Sequence, residues 1–393
     1  MKHTMRRVGV FLFLIVPGLC LLIVVASWLS NRGLPQEPTT EANLSSAQQA
    51  RLAEADHLRL RLGEQVWPGW GQAQIPLLVY NQAYAFLSGA DAPAQGWRTA
   101  PGGERIGNSW ERIDEGAWGI YYRAPLPESG ETPQAFTVLV GDQWAASLGT
   151  REWMRVSLRR QIQADLPPGI SQVFPYRVFD AVFFNSEDWY IAALLHEAFH
   201  AFQGQVVPGR LVQAEQVLRA QESTYPWDDG DLEAGWQAEL DLLAQAMKTQ
   251  DETAARELAG EFLAQRQARR SAASLTPEQI NYEQQREWLE GLAKYVELRI
   301  WQAAAESPDY RPVSAMESLP EFYGYQKFEQ RWRQEVNQIR RMAGDEGDGR
   351  FYYSGMAQAY LLDRLGVDWK TAAFAPDMFL ETLLQEAIFT PKR

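Results

Sequence analysis

Apolar residues in the second half of the chain recur at intervals of three and four. The clearest stripe is Leu232, Trp236, Leu240, Leu243 and Met247, the period of an amphipathic helix. The segments "LVQAEQVLRAQES", "ETAARELAGEFLAQRQARR", "PEQINYEQQREWLEGLAKYVELRIWQAAA", "PEFYGYQKFEQRWRQEVNQIRRM" and "YYSGMAQAYLLDRL" share it, with "AGDEGDGR" as a loop before Phe351. Between Ile75 and Ser186 the pattern changes. "IPLLVYNQAYAFL", "WGIYYRA", "QAFTVLV" and "AVFFN" are short runs of β-branched and aromatic residues bounded by Gly, Pro and Asn, which predicts strands. "TREWMRVSLRRQIQADL" predicts a helix that stops before Pro167-Pro168, and another helix is expected from Ser45 or Ser46 through "AQQARLAEADHLRLRLGEQVW". The fold class expected is α+β, with a mixed subdomain over 46–205 and an all-helical subdomain over 206–393.

The N-terminus sets a different expectation. Lys2, Arg6 and Arg7 precede an apolar run from Val8 to about Ser30, long enough to span a bilayer. Pro17 and Gly18 are tolerated in such a span, and the basic tail would stay in the cytoplasm. This predicts a transmembrane anchor over 1–30, a polar linker over 31–45 and a single-pass protein whose catalytic part is extracytoplasmic. The alternatives are a cleaved signal peptide, with Val24-Val25-Ala26 near the cleavage point, and a lipoprotein at Cys20. Leu19 stands there where a small residue is expected.

Composition narrows the chemistry. With 46% hydrophobic residues and 15 Trp in 393, the chain is globular. The net charge of -13, with no basic stripe, argues against nucleic acid. The single cysteine, Cys20, excludes an intrachain disulfide and a thiolate metal site. Arg269-Arg270 read as a solvated face, Glu283, Glu287 and Glu297 as surface residues or neighbours of a site, and the tryptophans as core.

Only four histidines are present: His3, His57, His196 and His200. Two of them fall in "LLHEAFHAFQG", on a helix predicted to start after Ser186 as N-cap and to end at Gly204. Four residues apart, His196 and His200 project from one face, as two imidazoles on one zinc require. Glu197, the next residue round, is placed to act as general base on a metal-activated water without being a ligand. His57 lies among charged residues and reads as a surface side chain. "WLEGLAKYVEL", Trp288 to Leu298, offers a third ligand. In it Glu290 precedes Gly291, a costly residue in a helix unless something approaches closely. Gly291 and Ala293 are expected to admit the zinc helix. Glu297 and His57 are the rival ligands.

HExxH followed by a helix carrying E-G-L-A resembles the gluzincin metallopeptidases, most of all the zinc aminopeptidase branch, whose ligand helix reads Trp-Leu-Asn-Glu-Gly-Phe-Ala. The resemblance implies a zincin-like fold, one zinc per chain and Glu290 as third ligand. It also implies a tyrosine that steadies the oxyanion, from a Tyr-x-x-Gly motif on a later helix. "FYYSGMAQAYLLDRL" supplies Tyr352 three before Gly355, with Tyr353 as the neighbouring alternative. The three motifs keep the family's order between Ser186 and Leu365. The His200–Glu290 gap exceeds the family's, so helices must be inserted. The Gly-x-Met-Glu-Asn exopeptidase motif is missing, which leaves endo- versus exo-cleavage open. The expectation is a membrane-anchored zinc metallopeptidase acting on peptides or proteins. The competing expectation is a catalytically silent relative that serves as an extracytoplasmic binding module.

Overall fold

The computed structural model describes residues 22–34, 39–100, 102–114, 119–133, 138–184, 186–345 and 347–389. The fold is α+β. Among the described residues seven strands form one sheet: β1 (Leu77–Tyr80), β2 (Tyr84–Ser88), β3 (Arg98–Thr99), β4 (Glu111–Asp114), β5 (Ile120–Pro125), β6 (Val138–Val140) and β7 (Gln143–Gly149), in the order β3-β6-β7-β1-β2-β5-β4. β1 and β7 run parallel, and the other pairs are antiparallel. "LLVY" in β1 does not alternate polar with apolar because both faces of the sheet are covered. Leu77 and Val79 face the helical core. Leu78 and Tyr80 face a smaller cluster with Trp97 and Val138.

The helices are α1 (22–32), α2 (Ser46–Val66), α3 (Arg151–Asp165), α4 (Pro168–Val173), α5 (Tyr176–Phe183), α6 (Glu187–Val206), which packs on β7, and α7 (Pro208–Gln221). They continue with α8 (Gly230–Lys248), α9 (Glu252–Ala272), α10 (Pro277–Arg286), α11 (Leu292–Glu306), α12 (Phe328–Ile339), α13 (Gly349–Arg364) and α14 (Leu380–Phe389). A π-helical turn, Glu287–Gly291, joins α10 to α11. The main core runs from Leu44 to Ala387, so the mixed and the helical parts share it.

α6 is fixed at both ends. Ser186 caps Trp189 N–H. Glu187 is gripped by Arg51 at 2.6 and 3.0 Å and by Arg151 at 3.1 Å. Asp188 accepts the backbone N–H groups of Tyr323 and Tyr325. At the other end the helix does not stop at Gly204 but runs to Val206. Gly204 is there because Trp144 of β7 lies on it: a Cβ would sit 2.4 Å from the indole. The glycine admits the sheet to the helix and does not terminate it.

The N-terminal expectation is corrected. Among the described residues no helix is long and apolar enough to cross a membrane, so a transmembrane anchor over 1–30 and a single-pass localisation are not supported. Most of the apolar run, residues 8–21, together with His3 and Cys20, lies outside the described residues. The described helix α1 is held to the rest of the fold by Asn31, which donates to the carbonyls of Gln172 and Phe174.

Two further readings change. "AVFFN" belongs largely to α5, not to a strand, because a short apolar run carries no periodicity that separates helix from strand. Arg269 does not face solvent; it is fully buried. It donates to Glu239 and Glu283, Arg266 binds Glu239, Glu287 and Glu381, and Arg270 binds Glu283 and Glu381. The polar stripe of α9 is covered by α8, α10 and α14, so this ion network is interior.

Burial alone would push the Glu381 carboxyl up, but Arg266 and Arg270 outweigh it and bring it down to about 2. A carboxylate with a depressed pKa stabilises the fold fully above its unfolded value near 4.5 and loses that contribution as pH falls toward 2. Glu381→Gln is therefore expected to cost on the order of 3 kcal/mol at pH 7. The deficit against wild type should shrink below pH 4.5, as denaturant melts at several pH values will show. A deficit that does not change with pH would contradict this assignment.

Candidate metal centre

His196 and His200 project from the middle of α6 toward the π turn, and His196 also meets α11 and α13. Their Nε2 atoms are 3.1 Å apart. Glu290 enters from the π turn, with its Oε2 3.4 Å from His196 Nε2 and 3.3 Å from His200 Nε2. Four ligands at bonds of about 2.0 Å lie at tetrahedral corners about 3.3 Å from one another. The three atoms thus mark one face of such a tetrahedron, and the group could hold a metal ion. All three side chains are buried.

The surroundings fit a cation. Burial disfavours the charged ring of His196, yet the carboxylates of Glu290 and Glu297 outweigh it and push the ring up to about 10. Glu290 would be raised by burial, but His200 and Arg286 hold it well below the ordinary carboxylate range. It is an anion with two imidazole nitrogens facing it and no well-directed hydrogen bond.

The second nitrogen of each ring is also engaged. His200 Nδ1 lies 3.0 Å from Gln203 Oε1. Since Gln203 Nε2 donates to the carbonyl of Trp288, its amide oxygen is left to accept from Nδ1–H, and Nε2 keeps its lone pair for a metal. Gln203 thereby ties α6 to the ligand turn. His196 Nδ1 lies 3.4 Å from Glu297 Oε2. Glu297, a rival for the third ligand position, stands behind the ring and is held by Lys294 and Arg331. His57 is not one of this group; its Nε2 lies 3.0 Å from the carbonyl of Arg311.

Glu197 is partly exposed, unlike the ligands. Burial is the main influence raising its carboxyl, helped by Glu290 and Glu297 and opposed by both histidines. The Tyr352 ring lies parallel to that of His196, with centroids 5.5 Å apart. Burial and the adjacent Glu290 push its hydroxyl well above the usual tyrosine range. Tyr353 points elsewhere and donates to Glu335.

Gly291 and Gly355 explain each other. A Cβ on Gly291 would lie 2.5 Å from Gly355 Cα, and one on Gly355 would lie 2.6 Å from the carbonyl oxygen of Glu287. The expectation that Gly291 admits the zinc helix is therefore revised: it admits α13, the helix of Tyr352. The π turn puts Glu290 at this crossing, and such turns recur at functional sites. Sequence reasoning missed Gln203 and Arg286. Gln203, three residues after His200 on the same helix face, carried a usable signal; the partners of Arg286 are distant in sequence.

The chain matches no protein-family model, no curated protein and no solved structure.

Two outcomes follow from this geometry. Purified protein is expected to bind about one divalent ion per chain by elemental analysis, with retention abolished in the His196→Ala/His200→Ala double variant. Equal metal content in both would reject the site. Gly355→Ala should force α13 off the ligand turn and destabilise the protein by about 1–3 kcal/mol, weakening metal retention as well. An unchanged melting curve would show that the close crossing is not needed.

Proposed function

We propose that this chain is a zinc-dependent metallopeptidase. The observation that carries the reading is the set of three buried ligand atoms at tetrahedral spacing, with Glu197 adjoining them on α6 and partly open to solvent. Two imidazoles and a single carboxylate suit zinc, and three protein ligands leave a fourth position for chemistry. Zinc held there would supply a Lewis acid that polarises a carbonyl and lowers the pKa of water to about 7.

The residues divide the remaining work. Glu197 takes a proton from the water that attacks the peptide carbonyl. It then returns that proton to the leaving nitrogen as the C–N bond breaks. Burial raises its carboxyl, the direction that suits a group which both accepts and donates a proton. Tyr352, whose ring stacks on that of His196 and whose hydroxyl interacts with Glu290, offers that hydroxyl to the oxygen that becomes negative as the carbonyl carbon turns tetrahedral. Glu297 and Gln203 hold the histidine rings and take no part in proton transfer.

Glu197→Gln keeps shape and removes the base. It is expected to retain metal while losing about 10²–10⁴-fold in turnover on a quenched fluorescent peptide library. Tyr352→Phe should lose about a hundredfold, mostly in kcat. Wild-type turnover by metal-loaded Glu197→Gln would overturn the assigned role. Absence of cleavage by zinc-loaded wild type across the library would count against peptides as substrates.

A further inference from the structure

Arg286 stands at the end of α10, buried to 1% exposure, and meets three acids from three elements. Its Nη2 lies 3.2 Å from Glu290 Oε1, the oxygen that does not face the histidines. The same nitrogen pairs with Asp348, and Nε donates to Asp348 Oδ1 at 2.9 Å. Glu215 of α7 stands 4.0 Å from Nη1. Asp348 is the residue from which α13 starts, and Tyr352 lies in the first turn of that helix. One guanidinium thus touches the free oxygen of the third ligand and the base of the tyrosine helix.

We propose that Arg286 is a positioning residue of the metal centre, whose planar fork ties Glu290 and the start of α13 together so that Glu290 presents a single oxygen to the ion and Tyr352 is held beside it. The proposal rests on the metal-binding reading above. A carboxylate bound only to a metal is free to turn and offer both oxygens. A cation 3.2 Å from Oε1 opposes that rotation, since turning would part the carboxylate oxygen from a guanidinium that is already buried. Glu290 would then offer one oxygen to a bound ion, leaving a position for chemistry. The geometry needs an arginine: a lysine ammonium is a point charge without a fork that spans two carboxylates.

The test uses the full chain and cobalt(II) as a spectroscopic replacement for zinc. Wild type should take up one cobalt per chain and show the strong visible bands of a low-coordinate ion. Arg286→Gln should bind cobalt and zinc about 10–100-fold more weakly in chelator competition. Its visible absorption per cobalt should fall at least about twofold as Glu290 turns to offer both oxygens. Arg286→Lys keeps the charge and guards against loss of folding in the glutamine variant. It should show the same spectral change at smaller amplitude, with an unchanged circular dichroism spectrum. Wild-type affinity and spectrum in folded Arg286→Gln would overturn the proposal and leave the metal site standing, as would a wild-type spectrum in Arg286→Lys if the glutamine variant does not fold. Wild type that binds neither cobalt nor zinc would overturn the metal-binding reading, and this inference with it.

Discussion

A fully buried carboxylate is the constraint on which this structure turns. Glu290 has no exposure to water, and an isolated anion in such a place is unfavourable by several kcal/mol or more. The fold compensates it on two sides. Arg286 takes one oxygen, and the rings of His196 and His200 face the other. A metal ion between the three atoms would complete the second side, taking a lone pair from each ring and one oxygen of the carboxylate. The negative surroundings that push His196 up to about 10 express the same demand.

The rest of the architecture meets the cost of placing that group. α6 is pinned at its start by Arg51 and Arg151 on Glu187 and crossed near its end by Trp144 of the sheet. The ligand turn is locked to α6 through Gln203 and to α13 through the Gly291–Gly355 crossing. α7, α8, α9 and α10 lie between His200 and Glu290 in sequence. They are tied into the fold partly by the arginine and glutamate network of α8, α9, α10 and α14. Glu287 belongs to that network and to the π turn alike; it binds Arg266 and accepts from Ser354 and Gln358 of α13. The interior salt network and the candidate metal centre are therefore linked through a residue three positions before Glu290.

Some of this was legible in the sequence. The paired histidines with Glu197 between them fix their own geometry, because residues four apart on a helix always share a face. The helical periodicity of the second half and the cap at Ser186 were local signals as well. Other features depend on which element arrives from a distance. Gly204 reads as a terminator until Trp144 lies against it, and Gly291 needs Gly355 for its meaning. Arg269 reads as solvated because its polar stripe is covered by equally polar, complementary helices, which no single helix reveals. β7, "QWAASLG", escaped notice because its small residues carry little strand signal, although it runs beside β1 and carries Trp144 against α6. The apolar N-terminal run suggested a membrane span by length alone, and the described residues contain no helix that meets that condition.

The most direct measurement is anomalous diffraction at the zinc edge from crystals of metal-loaded protein. The account predicts one strong peak, about 2.0–2.2 Å from His196 Nε2, His200 Nε2 and one oxygen of Glu290, with the other oxygen of Glu290 still on Arg286. A peak at another set of residues, or no peak between these three side chains at saturating zinc, would contradict it.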